Sequence, residues 1–272
     1  MGGLFGVISE KDCVNDLFFG TDYHSHLGTK RGGLAVKNDE RIIRFIHNIE
    51  NAQFRSKFET DITMMSGNKG IGVISDYDDQ PLLIRSHLGN YAIVTVGMVR
   101  NIEKLVDKAF REKKLHFRDM SGGEINPTEL IATLINQEST FLDGIKSAQD
   151  AIEGSCSLLL LTDEGIYAAR DKLGRTPVVI GEKEGSYAAT LETCAFPNLE
   201  FTIKKYLGPG EIMLLKQDGI EQIKPPGDKM QICAFLWVYY GYRHRFTRAS
   251  ASRESATDAG KSLPKATRST SI

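Results

Sequence analysis

Met1-Gly2-Gly3-Leu4-Phe5-Gly6-Val7-Ile8 opens the chain. Leu4, Phe5, Val7 and Ile8 form a short apolar run with almost nothing ahead of it, which predicts a buried strand that starts at the second residue. Chain ends normally fray unless something ties them down, so a strand at this place is unusual. Taken alone it reads as an ordinary N-terminal strand.

Outward from it, residues 13–28 read as a helix with Val14, Leu17, Phe18 and Tyr23 on an apolar side and Gly20 as a weak point. Arg31-Gly32-Gly33 turns into Leu34-Ala35-Val36, residues 42–46 form a short strand, and residues 51–65 have helical character. Strands are expected at 71–74, 82–84 and 91–96. Residues 102–114 make an amphipathic helix whose Glu103, Lys104, Asp107 and Lys108 lie on a solvated face. Asn126-Pro127, a capping side chain followed by proline at the first helical position, starts a helix that continues over 128–137, and a second follows at 141–152. From Ser157 the pattern returns to strands. Residues 158–161 and 166–169 flank the hairpin signal Asp163-Glu164-Gly165, and further strands fall at 178–180, 187–190, 203–206 and 212–215. Strands, then helices, then strands is the ordering of an α+β domain with antiparallel sheets and helices packed on them.

The totals narrow the function. The 272 residues hold 34 basic and 35 acidic side chains, a net charge of −1, so nothing electrostatic points to a nucleic-acid partner. No apolar run approaches the ~18 residues of a membrane span, and the N-terminus has no basic flank or apolar core of a signal peptide. Cys13, Cys156, Cys194 and Cys233 are scattered without metal-ligand spacing, which fits reduced thiols in a cytoplasm. No metal or other cofactor is expected. His24 and His26 lie two apart and diverge on a helix, a poor metal pair.

Several segments, in order, resemble the glutaminase half of the amidophosphoribosyltransferase family. The opening stretch is similar to the Met-Cys-Gly-Ile-x-Gly start of class II glutamine amidotransferases, whose nucleophile is the first residue after Met1 is removed and whose α-amine is the base. The stretch from Asp22 to Gly28 sits at the family's Leu-Gln-His-Arg-Gly. Gly70-Ile71-Gly72 and Gln80-Pro81 match its Gly-Ile-Gly and Gln-Pro. Ile166-Tyr167-Ala168-Ala169-Arg170-Asp171 with Gly174 and Pro177 resembles Leu-Tyr-Ala-Ala-Arg-Asp-x-x-Gly-x-x-Pro. Leu191-Glu192-Thr193-Cys194-Ala195 matches Ser-Glu-Ser-Cys-Ala, and Pro209-Gly210-Glu211 matches Pro-Gly-Glu. Residues 233–239 resemble the segment that leads into the family's transferase half. The resemblance covers residues 1–242 and implies a four-layer αββα sandwich of the N-terminal nucleophile type. It also implies the reaction of the family, the first step of purine nucleotide synthesis, in which glutamine and phosphoribosyl pyrophosphate give phosphoribosylamine.

Glutamine hydrolysis needs a thiolate, a base, an oxyanion hole and groups that hold the substrate's amino-acid end. The family's residues, carried over position by position, are missing. The nucleophile position holds Gly2. The oxyanion pair Asn-Gly falls on Val96-Gly97, which leaves only the backbone N–H of Gly97. The arginine that clamps the glutamine carboxylate falls on Ser75, and a serine cannot make a bidentate ion pair. The aspartate for the α-ammonium falls on Pro127, and the arginine after the motif histidine falls on Leu27, leaving His26. Loss of one such group typically costs ~10²–10⁶ in rate, so the resemblance implies a glutaminase without catalytic residues. Arg170 and Asp171 read as a structural salt bridge. Cys233 stands where some members place an iron–sulfur ligand, but its companion cysteines are missing and no cluster is expected.

The chain divides on this reading into an amidotransferase-like domain (1–228), the start of a linker or transferase domain (229–242) and a disordered tail (243–272). The tail is dominated by Arg, Ser, Ala, Thr and Lys. If residues 244–251 are encoded CAT-CGG-TTT-ACG-AGG-GCA-TCA-GCx, the frame one base earlier reads Pro-Ser-Val-Tyr-Glu-Gly-Ile-Ser, close to the family's continuation. A frameshift before the transferase half is therefore expected. The first expectation for function is a glutaminase-like domain that supports the transferase half of its own full-length protein, which works with free ammonia or a separate ammonia source. The second is a non-enzymatic module that binds a metabolite or partner through the old pocket, with a homo-oligomer among the expected assemblies. An active hydrolase with another nucleophile comes last, because Gly2 denies it.

Overall fold

The computed structural model describes residues 2–113, 120–121, 124–231, 246–247 and 250–251. β1 (Gly2–Ser9) is a central strand of a seven-stranded antiparallel sheet. On one side it pairs with β12 (Ser186–Thr190), then β11 (Val179–Lys183) and β13 (Thr202–Tyr206). On the other it pairs with β4 (Lys69–Ser75), then β2 (Arg31–Lys37) and β3 (Ile42–Asn48). The second sheet is six-stranded and also antiparallel. Its order is β15 (Gly219–Lys224), β14 (Ile212–Lys216), β10 (Ile166–Ala169), β9 (Gly154–Leu161), β6 (Gly89–Val99) and β5 (Leu82–Ser86). Two minor pairs complete the strands: β7 (Met120–Ser121) with β8 (Glu124–Ile125), and β16 (Phe246–Thr247) with β17 (Ser250–Ala251). The first strand is thus tied down from both sides.

Side-chain alternation builds four layers. In β1, Leu4 and Ile8 face the other sheet, while Phe5 and Val7 face α1 (Val14–Asp22) and α2 (Phe54–Phe58). In β9, Leu159 and Leu161 meet the first sheet, while Leu158 and Leu160 meet α4 (Pro127–Ile135) and α5 (Phe141–Ala151), with α3 (Ile102–Lys113) adding Leu105 and Val106 to that layer. Both faces of β9 are covered, which is why 158–161 is a continuous leucine run rather than an alternating one. Each fully buried leucine contributes about 1.5–3 kcal/mol. The architecture is the αββα sandwich of the expectation.

Several local expectations are corrected. The first helix ends at Asp22 instead of reaching 28, and a short 3₁₀ turn, Ser25–Leu27, follows. Gly20 does not break α1. A Cβ there would lie 2.3 Å from the Phe5 ring, so glycine lets the helix press on β1. The stretch 51–65 divides into α2 and a 3₁₀ turn, Asp61–Met64, because Phe54 and Phe58 are the side chains it has to bury. β15, an edge strand whose only large apolar residues are Ile220 and Ile223, has no counterpart in the expectations. The start of α4 is as expected: Asn126 Oδ1 accepts from Thr128 N at 2.8 Å, and Pro127 opens the helix. The expected linker and tail, 229–272, lie outside the described residues apart from 229–231 and the β16–β17 pair.

Candidate functional site

Four of the five positions onto which the resemblance carries the family's glutaminase residues lie at the N-terminal end of β1. Gly2 stands opposite Ser75 of β4, and Ser75 is also opposite Arg31 of β2. From the other sheet, Val96 of β6 comes within 3.5 Å of where a Gly2 Cβ would lie. One residue before Val96 and on the opposite face of β6, Thr95 Oγ1 is 2.6 Å from Thr128 Oγ1, which ties the first turn of α4, with Pro127, to the helix side of that strand. Leu27 is buried in the 3₁₀ turn beside this end. Two residues on, Thr29 N donates to Asp76 Oδ1 at 2.7 Å, next to Ser75.

The replacements are built into the packing. A Cβ on Gly2 would sit 2.6 Å from the carbonyl oxygen of Ile74, a backbone atom that cannot move without disturbing the β1–β4 ladder. Ser75 is buried, and its Oγ accepts from Tyr77 N and Asp78 N at 3.2 and 3.3 Å, so the hydroxyl serves the turn that leaves β4. Gly97 has φ +155°, and a Cβ would meet Ser155 O at 2.0 Å. Arg100 N donates to Glu153 O, which sets the hydrogen-bonded β6–β9 pairs at even positions of β6. Odd positions turn their polar groups away from β9, as Thr95 does in bonding through both N and O to the Gln80 side chain. Gly97 follows that alternation, so the backbone donor expected to survive points toward the β5 side.

Two of the described cysteines are closed off by burial. Cys156 is the residue opposite Gly97, but it is buried, and its thiol is pushed up to about 12, by burial first and by the nearby Asp171 charge second. Burial, with Asp12 and Asp16 adding to it, pushes the Cys13 thiol up as well. Cys194 is half-buried, and its thiol donates to Glu192 Oε2 at 3.4 Å, the same oxygen that His26 Nε2 meets at 3.0 Å. No described cluster of three His, Cys, Asp or Glu could hold a metal.

The two histidines have separate partners. His24 is fully buried; its Nδ1 is 2.8 Å from Gly20 O and its Nε2 2.9 Å from Thr190 Oγ1. It lies against Gly3, where a Cβ would meet the His24 side chain at 2.5 Å. His26 Nε2 is 3.0 Å from Glu192 Oε2, across 166 positions of sequence. That contact was invisible in the sequence, as was the use of the 76–79 run. In that run Asp79 pairs with Arg31 at 2.9 Å on the surface, Asp78 is buried, and the large side chain of Tyr77 is 69% exposed. Met98, the neighbour of Gly97, is 62% exposed.

Arg170 and Asp171 are structural through the backbone. Asp171 accepts from Leu173 N, Arg175 N and Thr176 N, the last at 2.6 Å. The Arg170 guanidinium donates to the carbonyls of Thr176, Leu207 and Gly174.

A glutamine amidotransferase domain model matches residues 69–196. The amidophosphoribosyltransferase of Methanocaldococcus jannaschii is 28% identical over 234 residues, which cover 81% of this chain and 48% of that protein. The Bacillus subtilis enzyme of the same name is 23% identical over 250 residues, covering 88% and 51%. The chain therefore spans about half the length of the curated relatives it matches. Among solved structures, the glutamine phosphoribosylpyrophosphate amidotransferase of B. subtilis, complexed with ADP and GMP, superposes with a TM-score of 0.84 at 21% identity, over 95% of this chain and 57% of that one. That agreement shows the fold. No described helix is long and apolar enough to cross a membrane.

Proposed function

From its relation to the amidophosphoribosyltransferases through their glutamine amidotransferase domain, we propose that this domain does not hydrolyse glutamine and acts as the structural partner of a transferase half. Such a half would work on free ammonia or on ammonia from a separate source, in the cytoplasm. The observation that carries this reading is the closed position at Gly2. There is no thiol there, and the Ile74 carbonyl stands 2.6 Å from where a side chain would begin. Ser75, Val96, Pro127 and Leu27 remove the oxyanion side-chain donor and the polar clamps, and only the Gly97 N–H keeps a donor role.

The test is glutamine hydrolysis by the purified chain, with a Gly2→Cys variant alongside. The expected outcome is no ammonia above background from either protein. Hydrolysis by the native chain would overturn the reading. Hydrolysis by the variant alone would show that the nucleophile is the sole missing part.

A second reading, a partner-binding module that uses the same end of β1, is favoured by Tyr77 and Met98. Both are large, exposed and next to site residues. Under that reading Tyr77→Ser and Met98→Ser weaken partner capture without changing the fold.

A further inference from the structure

The two sheets have four edge strands, and three are blunted against pairing. β13 carries Lys204 and Lys205, and its pairing with β11 shifts register between Ile180 and Gly181. β15 ends on Lys224, and its pairing with β14 shifts register at Ile212/Met213. β5 is only five residues long. Lysines, bulges and shortness are the usual protections of an edge. β3 has none of them. It runs seven residues, Ile42-Ile43-Arg44-Phe45-Ile46-His47-Asn48, in unbroken register with β2, without lysine or proline. Ile42, Ile43, Phe45 and Ile46 are each only half-buried.

The outward ladder can be read from the bonds at either end. Asn38 N donates to Arg41 O, and Ile49 N donates to Lys30 O, so residues 41, 43, 45, 47 and 49 are the ones that bond to β2. Residues 42, 44, 46 and 48 therefore turn their N–H and C=O groups outward, and no described strand meets them.

We propose that β3 is an interaction surface for a second copy of this chain, the two β3 strands pairing antiparallel about a two-fold axis at Phe45. In this register Ile42 faces Asn48 of the second copy, Ile43 faces His47, Arg44 faces Ile46, and Phe45 faces Phe45. Residues 44 and 46 then form a hydrogen-bonded pair, as their outward groups require, and the full length of the strand is used. Charge selects the register: no two like charges stand opposite each other, whereas a two-fold at Arg44 would set arginine against arginine. The net charge of −1 adds little repulsion between copies. Arg44 Nη1 donates to Pro81 O at 3.1 Å, which places the start of β5 beside the same edge. Leu83, 41% exposed, extends the apolar margin onto the second sheet.

The experiment is sedimentation of the full chain over a concentration series, with two variants. Ile46→Pro removes an outward N–H and costs no bond to β2, so it is tolerated at this edge and blocks the incoming strand. Phe45→Cys, in a background with Cys194 and Cys233 changed to serine, places two thiols on a non-hydrogen-bonded pair about 4.5 Å apart at Cα, within disulfide reach. The expected result is a native dimer, a folded monomer for Ile46→Pro, and a covalent Phe45→Cys dimer on oxidation that Arg44→Cys does not match. A native chain that stays monomeric overturns the proposal. So does a dimer in which Phe45→Cys fails to cross-link, and this readout decides the question even if Ile46→Pro does not fold.

Discussion

The 170–177 loop and the N-terminal end of β1 are two stretches where the sequence resembles one enzyme family, and they have met opposite fates. The loop keeps Arg170, Asp171, Gly174 and Pro177, and each charged side chain is spent on backbone groups of its own neighbourhood: Asp171 on three amides, Arg170 on three carbonyls. The end of β1 has glycine, serine, valine, proline and leucine where a substrate would need thiol, guanidinium, amide and carboxylate. On the proposed reading, residues that hold the chain to itself are kept, and residues whose only partner would be a substrate are not. That contrast is a physical statement about which side chains the fold needs.

The largest test of it is Asp171→Ala. Asp171 is 2% exposed, and its removal strands three part-buried amides that bond to a charged group, at roughly 1–2 kcal/mol each, a loss of about 3–5 kcal/mol. Chemical denaturation would read it as a drop in unfolding midpoint, and a near-neutral result would dissolve the contrast. A middle effect is expected from Gly2→Ala. The added methyl must displace the Ile74 carbonyl, which costs about 1–3 kcal/mol in an already packed place. Unchanged stability would mean that the old site is an open pocket after all. The smallest is Ser75→Ala. The two amides it accepts from are at 3.2 and 3.3 Å, so the loss stays near or below about 1 kcal/mol. A large loss would make Ser75 part of the scaffold rather than a replaced clamp.

Where the sequence could be read, local rules and burial agreed. The apolar run in β1, the leucine run of β9, the Asp163–Gly165 hairpin and the Asn126–Pro127 cap each place their element, because the signal lies within a few residues. It failed where a distant contact decided. Helical character at 23–28 gave way because His24 and His26 are drawn to Thr190 and Glu192. β15 went unseen because an exposed edge strand needs no apolar face to mark it.

For the site, the residue types alone carry the proposal of an inactive glutaminase: glycine has no nucleophile and serine no guanidinium, wherever they fold. The sequence also determined the α+β class, since its periodicity is a one-dimensional record of which faces are buried. Only the tertiary structure could bring Gly2, Leu27, Ser75 and Val96 to one end of β1, set Pro127 on the far face of β6, turn Gly97 away from β9 and leave the outer edge of β3 without a partner strand among the described residues. Those outcomes depend on register and on the separation of backbone atoms between strands far apart in the chain, such as the 2.6 Å left beside the Ile74 carbonyl. A linear pattern of residues carries no such distances.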